Sequence, residues 1–89
     1  MFLVEWLEEA LEELTVLWSM GDADLRKAIM AATSIIDQEL KTDPYRQSES
    51  RGDENRVLFV YPLGVLFEID PQDRIVRVLN VWRFRRLGE

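Results

Sequence analysis

The 89-residue chain contains no cysteine and no histidine. Without cysteine it can form no disulfide, no thiolate zinc site and no cysteine nucleophile. Without histidine it lacks the commonest general base and the commonest nitrogen ligand of metal ions. The core must therefore form by side-chain packing alone.

Long hydrophobic runs are also missing. No apolar stretch approaches the roughly 18 residues that a transmembrane helix needs, and residues 1–6 lack the basic region and the cleavage site of a signal peptide. Because 47% of the residues are hydrophobic and 31% are charged, the chain is not a disordered polyelectrolyte either. We expect a single soluble, cytoplasmic domain over residues 1–89.

Positive charge is scarce in the first half of the chain. Residues 1–42 contain nine acidic and three basic residues, residues 43–89 contain eight of each, and the formal net charge is −6. This balance argues against a dedicated duplex-DNA binder, whose affinity depends on neutralising phosphates. It is compatible with a local basic site, because Arg83, Arg85 and Arg86 lie within four residues of one another.

The first residues predict a short strand followed by an amphipathic helix. Residues 2–6 are mostly apolar and extended in character. From about Leu7 the apolar side chains recur at spacings of three and four, while glutamates occupy the opposite face. We interpret that face as solvated, and Trp6 and Trp18 as core residues. Gly21 is expected to end the helix in the left-handed conformation.

A second helix is predicted from Ala23 to Leu40. Asp22 can cap its first turn, and Asp43-Pro44 should end it, because proline disfavours a helical conformation in the residue before it. The apolar stripe of this helix comprises Leu25, Ala28, Ile29, Ala32, Ile35, Ile36 and Leu40. The short connection between the two helices predicts an antiparallel hairpin.

Three strands are predicted after a polar loop over residues 45–55, in which an extended piece is expected around residues 48–51. The strands run from Arg56 to Tyr61, from Gly64 to Ile69 and from Arg74 to Trp82. Short turns between them predict a three-stranded antiparallel meander, with the helical hairpin on one of its faces. The fold class is therefore α+β, with two layers.

This order of elements and several of its motifs resemble the RelE/ParE superfamily of bacterial toxin–antitoxin toxins. The motifs are Val4-Glu5-Trp6 running into a helix, Asp43-Pro44 after the second helix, Arg56 to Val60, Gly64 to Asp70, Asp73 to Leu79, and Trp82-Arg83. The resemblance covers nearly the whole chain and implies a small toxin that a cognate, co-encoded antitoxin neutralises. RelE-like members cleave messenger RNA on the ribosome, and ParE-like members poison DNA gyrase. No metal or organic cofactor is implied.

Basic residues and tyrosine are the candidates for a site on this fold. Cleavage by 2′-hydroxyl attack needs a proton acceptor, a proton donor and cations that stabilise the phosphorane. Arginine supplies the charge but stays protonated, so it is a poor base. The catalytic candidates are Arg56, Arg77, Arg83 and Arg85, and the candidates for binding RNA or a partner are Tyr61, Trp82 and Arg86.

Arg83 and Arg85 form the centre of the predicted cationic site. Residues two apart on an extended segment point the same way, so these two side chains should project together while Phe84 packs on the core. Arg77 and Arg56 are expected to contribute from neighbouring strands.

The sequence departs from the RelE pattern at several positions. The strand after the loop has no lysine or arginine beyond Arg56, the next strand opens with Gly64-Val65-Leu66, and no tyrosine follows Tyr61. Two functions therefore stay open. The first is a toxin that cleaves messenger RNA on the ribosome, and the second is a non-catalytic or degenerate module on the same fold that binds gyrase or another protein. The apolar strands also predict self-association as a homodimer when the partner is absent.

Overall fold

The computed structural model describes residues 1–52 and 54–87. The elements are β1 (Leu3–Trp6), α1 (Glu8–Met20), α2 (Ala23–Thr42), β2 (Glu49–Ser50), β3 (Asn55–Val60), β4 (Leu63–Asp70) and β5 (Ile75–Arg83). This order confirms the α+β fold class, and β2 is the extended piece expected within the polar loop. None of the helices in these ranges is long and apolar enough to cross a membrane.

The strands of the described ranges form a five-stranded sheet in the order β1-β5-β4-β3-β2. β3, β4 and β5 pair antiparallel, as the short turns predict, and β2 adds to the free edge of β3. β1 pairs with β5 in parallel, so the first strand lies beside the last. A parallel pair needs a long crossover connection, and the helical hairpin forms part of it here.

The helices cover one face of this sheet. On that face β4 presents four apolar side chains that are at most 4% exposed: Leu63, Val65, Phe67 and Ile69. They belong to one buried cluster with four residues of α2: Ile29, Ala32, Ile36 and Leu40. Side chains repeat every 2 residues in a strand and every 3.6 in a helix, which produces these two rows. Ile35, predicted in the same stripe, is 51% exposed, because the next residue occupies the buried side of that turn.

The ends of the helices agree with the sequence at the cap of α2 and differ at two other places. Asp22 caps α2, since its carboxylate accepts a hydrogen bond from the Leu25 N–H at 2.8 Å. Gly21 was expected in the left-handed conformation but has φ −87° and is extended, so that prediction was wrong. α2 continues two residues past its predicted end, to Thr42. The proline restriction acts on Asp43, which is non-helical with φ −157°.

The turn before β5 contains a residue in the left-handed region. Arg74, predicted as the first residue of this strand, has φ 57°, and β5 begins at Ile75. A left-handed conformation costs a non-glycine residue about 1–2 kcal/mol. Contacts with the start of the chain offset this cost: the Arg74 guanidinium lies 4.4 Å from the centre of the Phe2 ring and donates to the Met1 carbonyl at 3.3 Å.

Glu13 makes a structural contact that its helical spacing does not indicate. Its carboxylate accepts hydrogen bonds from the Asn80 side chain at 3.1 Å and from the Val81 N–H at 3.2 Å. β1 pairs with β5 only as far as Val78, so β5 has no strand neighbour on that edge beyond this point. Glu13 takes the place of a strand partner there, and its interpretation as part of a solvated face was wrong.

The two tryptophans predicted in the core lie at its border. Trp6 is partly buried and packs against the core cluster, and its indole N–H donates to the Asp37 carboxylate at 3.3 Å. Trp18 is 36% exposed. The prediction that Trp18 lies in the core was therefore wrong, and the same prediction is confirmed only in part for Trp6.

Gly64 offers a direct test of the packing on the sheet. A Cβ atom at this position would lie 2.6, 2.7 and 2.8 Å from three atoms of the Trp82 ring. We expect Gly64→Ala to lower the free energy of unfolding by about 1–3 kcal/mol, the usual cost of overpacking, as measured by urea unfolding. Trp82→Leu in the Gly64→Ala background should recover part of this loss. A Gly64→Ala protein as stable as the wild type contradicts the close contact.

Candidate functional site

Arg56 holds the loop after α2 against the sheet. It lies on the helix side of β3, opposite Phe67 in the register. Its guanidinium donates to the Ser48 hydroxyl at 2.6 Å and to the Ser48 carbonyl at 2.9 Å, and it lies 5.4 Å from the centre of the Tyr45 ring. These contacts engage Nε and one terminal nitrogen of the guanidinium within the protein, which favours a structural role for Arg56.

We call the sheet face that the helices leave uncovered the open face. Alternation along the strands assigns to it Leu3 and Glu5 of β1, Ile75, Arg77 and Trp82 of β5, Gly64, Leu66, Glu68 and Asp70 of β4, and Asn55, Val57 and Phe59 of β3. Arg77 lies between two carboxylates on this face. Its guanidinium is 3.8 Å from Glu68, and Glu5 is its partner on β1. Its charge is therefore compensated locally.

Arg83 and Arg85 line one cavity of about 690 Å³ at the end of β5. Tyr61 and two aspartates near the start of α2, Asp22 and Asp24, also line it. The two arginines share a side of the segment, in line with their two-residue spacing. The Nε atom of Arg83 is buried and has no hydrogen-bond partner within the described residues. Two guanidinium groups can bind an anionic oxygen, and the two aspartates offset part of their charge.

Four aromatic side chains form a cluster at the same end of the open face. The Phe59 ring meets Trp82 and Phe84 edge to face, with centroids 6.0 and 5.3 Å apart, and Tyr61 meets Phe84 at 5.8 Å. Arg86 lies over the Tyr61 ring at 3.9 Å. Phe84 therefore packs on the aromatic cluster and not on the core. Phe59 remains 46% exposed, so this cluster is accessible from outside.

The structure separates the four arginines that the sequence predicts as one site. Arg77 lies on the open face, whereas Arg56 and Arg83 lie on the helix side, four positions apart along β4, or about 13 Å. The six-residue spacing from Arg77 to Arg83 would place both on one face of a regular strand. A β-bulge in β5, opposite Leu66 and Phe67, reverses the alternation between them. Among the described residues the structure brings together Arg83 and Arg85.

A groove between α1 and α2 is a further candidate that the sequence does not indicate. It has a volume of about 510 Å³, and its apolar lining includes Trp6, Leu14, Trp18, Ile29 and Met30. Met30 is 62% exposed. Its position outside the predicted apolar stripe of α2 is the one signal that could have revealed the groove.

The acidic residues that the structure describes show no arrangement suited to a metal ion. Within residues 1–52 and 54–87, no three carboxylates are arranged to hold an ion. Among the clustered glutamates of α1, Glu13 uses its carboxylate to bind β5.

The same arrangement of helices and strands occurs in solved toxin–antitoxin proteins. A chain of the RelBE2 toxin–antitoxin complex from Mycobacterium tuberculosis superposes with a TM-score of 0.73 and 15% identity, over 93% of this chain and 91% of the other. A chain of the chromosomal ParDE system of P. aeruginosa gives a TM-score of 0.75 and 16% identity, over 96% and 98%. The chain has the RelE/ParE fold.

The isolated RelE toxin of E. coli has this fold too, with a TM-score of 0.63 and 14% identity over 99% of this chain and 89% of that one. No protein-family model and no curated protein matches the sequence. The fold predicted from the motifs is thus confirmed through structure, at identities of 14–16%.

Arg56 and Arg77 should differ sharply in what they contribute to stability. Arg56→Ala removes charge-assisted hydrogen bonds in a partly buried site, so we expect a loss of about 1–3 kcal/mol. Arg77→Ala removes a long, half-exposed ion pair at 3.8 Å, which should cost under about 1 kcal/mol. Urea unfolding of the two variants measures both effects. Equal losses contradict the structural role of Arg56.

Proposed function

We propose that this chain is the toxin component of a type II toxin–antitoxin system and that a cognate antitoxin neutralises it. The observation that carries the proposal is the match to the RelBE2 and ParDE proteins over more than nine tenths of this chain. A cytoplasmic location fits this role, because ribosomes and gyrase are found there.

The groove between the helices is suited to an amphipathic helix of the antitoxin. Exposed Met30 and Trp18 offer apolar contacts along it, and helix-in-groove recognition uses such anchors. Asp37, which pairs with Lys41 at 2.8 Å, also lines the groove, and residues 1–42 carry nine acidic and three basic residues. An antitoxin helix with basic residues beside its apolar face complements this charge.

Replacement of Met30 tests the groove. Met30→Glu should weaken binding of the co-encoded antitoxin about tenfold or more, because it places a charge where an apolar anchor must be buried. Isothermal titration calorimetry measures this change. The matched control is Ile35→Glu, which alters an equally accessible apolar residue of α2 outside the groove. Unchanged affinity of Met30→Glu, or an equal loss in both variants, contradicts this docking site.

Cleavage of messenger RNA on the ribosome is one candidate for the toxic activity. The cavity of Arg83 and Arg85 is where this chemistry fits, because guanidinium groups stabilise the charge of a phosphorane. Tyr61 and Asp24 line the same cavity and would accept or donate the protons of the reaction. The proposed enzyme would thus use these four side chains, with Arg56 and Arg77 outside the site.

Binding of a protein target, such as DNA gyrase, is the second candidate, and the open face favours it. The arginine on its strands, Arg77, is paired with Glu68, and Arg86 at its border lies over the Tyr61 ring, whereas an RNA-binding face needs cations that are free for phosphates. Aromatic residues with few unpaired charges are typical of the centre of protein interfaces. Phe59 and Trp82 form such a centre here.

A double arginine replacement separates the two candidates in cells that express the chain without its antitoxin. If the chain is a ribonuclease, messenger RNA is cut, and Arg83→Ala with Arg85→Ala abolishes the cuts that primer extension detects. Arg46→Ala with Arg51→Ala removes the same charge at exposed ion pairs and should leave the cuts intact.

If the chain instead binds a protein target, growth stops without cut messages, and Phe59→Ser restores growth. Gyrase-dependent DNA damage then identifies gyrase as the target. A wild-type chain that neither cuts messages nor slows growth contradicts the toxin proposal itself.

A further inference from the structure

The open face carries an apolar strip across its middle. Val57 and Leu66 are partners on β3 and β4, and Phe59 faces Gly64 at the pair two positions further along. Trp82 completes this second row on β5. Phe59 is 46% exposed, Leu66 and Trp82 are half-buried, and Val57 is only 4% exposed. An apolar strip that reaches water through an aromatic ring is typical of an interaction surface.

The two ends of the open face differ in charge. Towards the start of β5 lies an acidic end, where Glu5, Glu68 and Asp70 lie around the cation of Arg77. Exposed Leu3 and half-buried Ile75 lie at the same end. Towards the end of β5 lies a basic end, formed by exposed Arg86 over the ring of Tyr61. The apolar strip separates the two ends.

A surface that is acidic at one end, basic at the other and apolar between them is complementary to itself. We propose that the open face binds a second copy of this chain, sheet against sheet. A two-fold axis that runs across the strands, between the two sheets, lays the acidic end of one copy over the basic end of the other. The apolar strips then meet at the centre, and the symmetry forms each charge contact twice.

The area of the open face limits the strength of this association. Strand length and spacing give the open face an area of about 25 Å by 20 Å, or about 500 Å² per copy. Standard stable interfaces bury about 800 Å² per partner, so the dimer forms reversibly, with the monomer dominant in dilute solution. The contact covers Phe59 and leaves the groove between the helices free. The inference stands without the proposed function, because it rests on this surface alone.

Charge reversal at the two ends tests both the contact and its orientation. Glu68→Arg places cations opposite Arg86 of the partner copy, and Arg86→Glu places carboxylates opposite Glu68. Each variant alone should associate about tenfold more weakly than the wild type in sedimentation velocity runs over a concentration series. An equimolar mixture of the two variants should associate as strongly as the wild type, because both contacts are then complementary.

Two exposed helix residues provide the control pair. Glu9→Arg and Lys27→Glu reverse the same charges away from the open face, and neither should change the association. Because Glu68 also contacts Arg77, circular dichroism checks that its variant is folded. Phe59→Ser serves as an independent variant without a charge change and should also weaken the dimer about tenfold.

Three results overturn the proposal. The first is a wild type that stays monomeric up to about millimolar concentration. The second is a mixture of the charge variants that associates no better than either alone. The third is a Phe59→Ser protein that dimerises like the wild type. Growth arrest and antitoxin binding do not enter this experiment, so its failure is distinct from a failure of the proposed function.

Discussion

The two helices cover one face of the five-stranded sheet and leave its other face bare. The other described surfaces follow from this limited coverage. The rows of α2 and β4 interlock so closely that the four inward side chains of β4 are at most 4% exposed. The opposite face of the same strands has no second layer within residues 1–52 and 54–87. It therefore keeps apolar side chains in contact with water, with Phe59 as the most exposed of its aromatic residues. Association with another protein surface would stabilise this face, because it removes apolar side chains from water.

The limit also explains the groove between the helices. α1 lies mainly along β5, where Glu13 binds the free edge of that strand, while α2 packs over the centre of the sheet. The helices thus pack on two different parts of the sheet, and a gap lined by Trp18 and Met30 remains between them. The groove and the open face lie on opposite sides of the sheet, so one partner can occupy each without displacing the other.

The arginines show how strand geometry distributes charge. Arg56 holds the loop after α2 through two of its nitrogens, and Arg77 forms an ion pair with Glu68. The bulge in β5 then turns Arg83 to the helix side, where it lines one cavity with Arg85 near the start of α2. A chain with eight arginines after residue 42 thus concentrates two of them in one cavity, without forming a continuous basic surface.

The sequence by itself determined the order of the elements, the antiparallel meander, the cap at Asp22 and the resemblance to the RelE/ParE toxins. The first three depend on periodicity and on turn and cap residues, which act over a few neighbouring positions, and the resemblance depends on the motifs quoted for it. The tertiary structure decided the bulge opposite Leu66 and Phe67, the contact of Glu13 with β5, and the exposure of Trp18 at the groove. Each depends on how residues far apart in the chain pair or pack, and one extra residue in a ladder reverses every side chain after it. For this reason the catalytic candidates were visible as residue types in the sequence, whereas their separation onto two faces was fixed only by the register of β4 and β5.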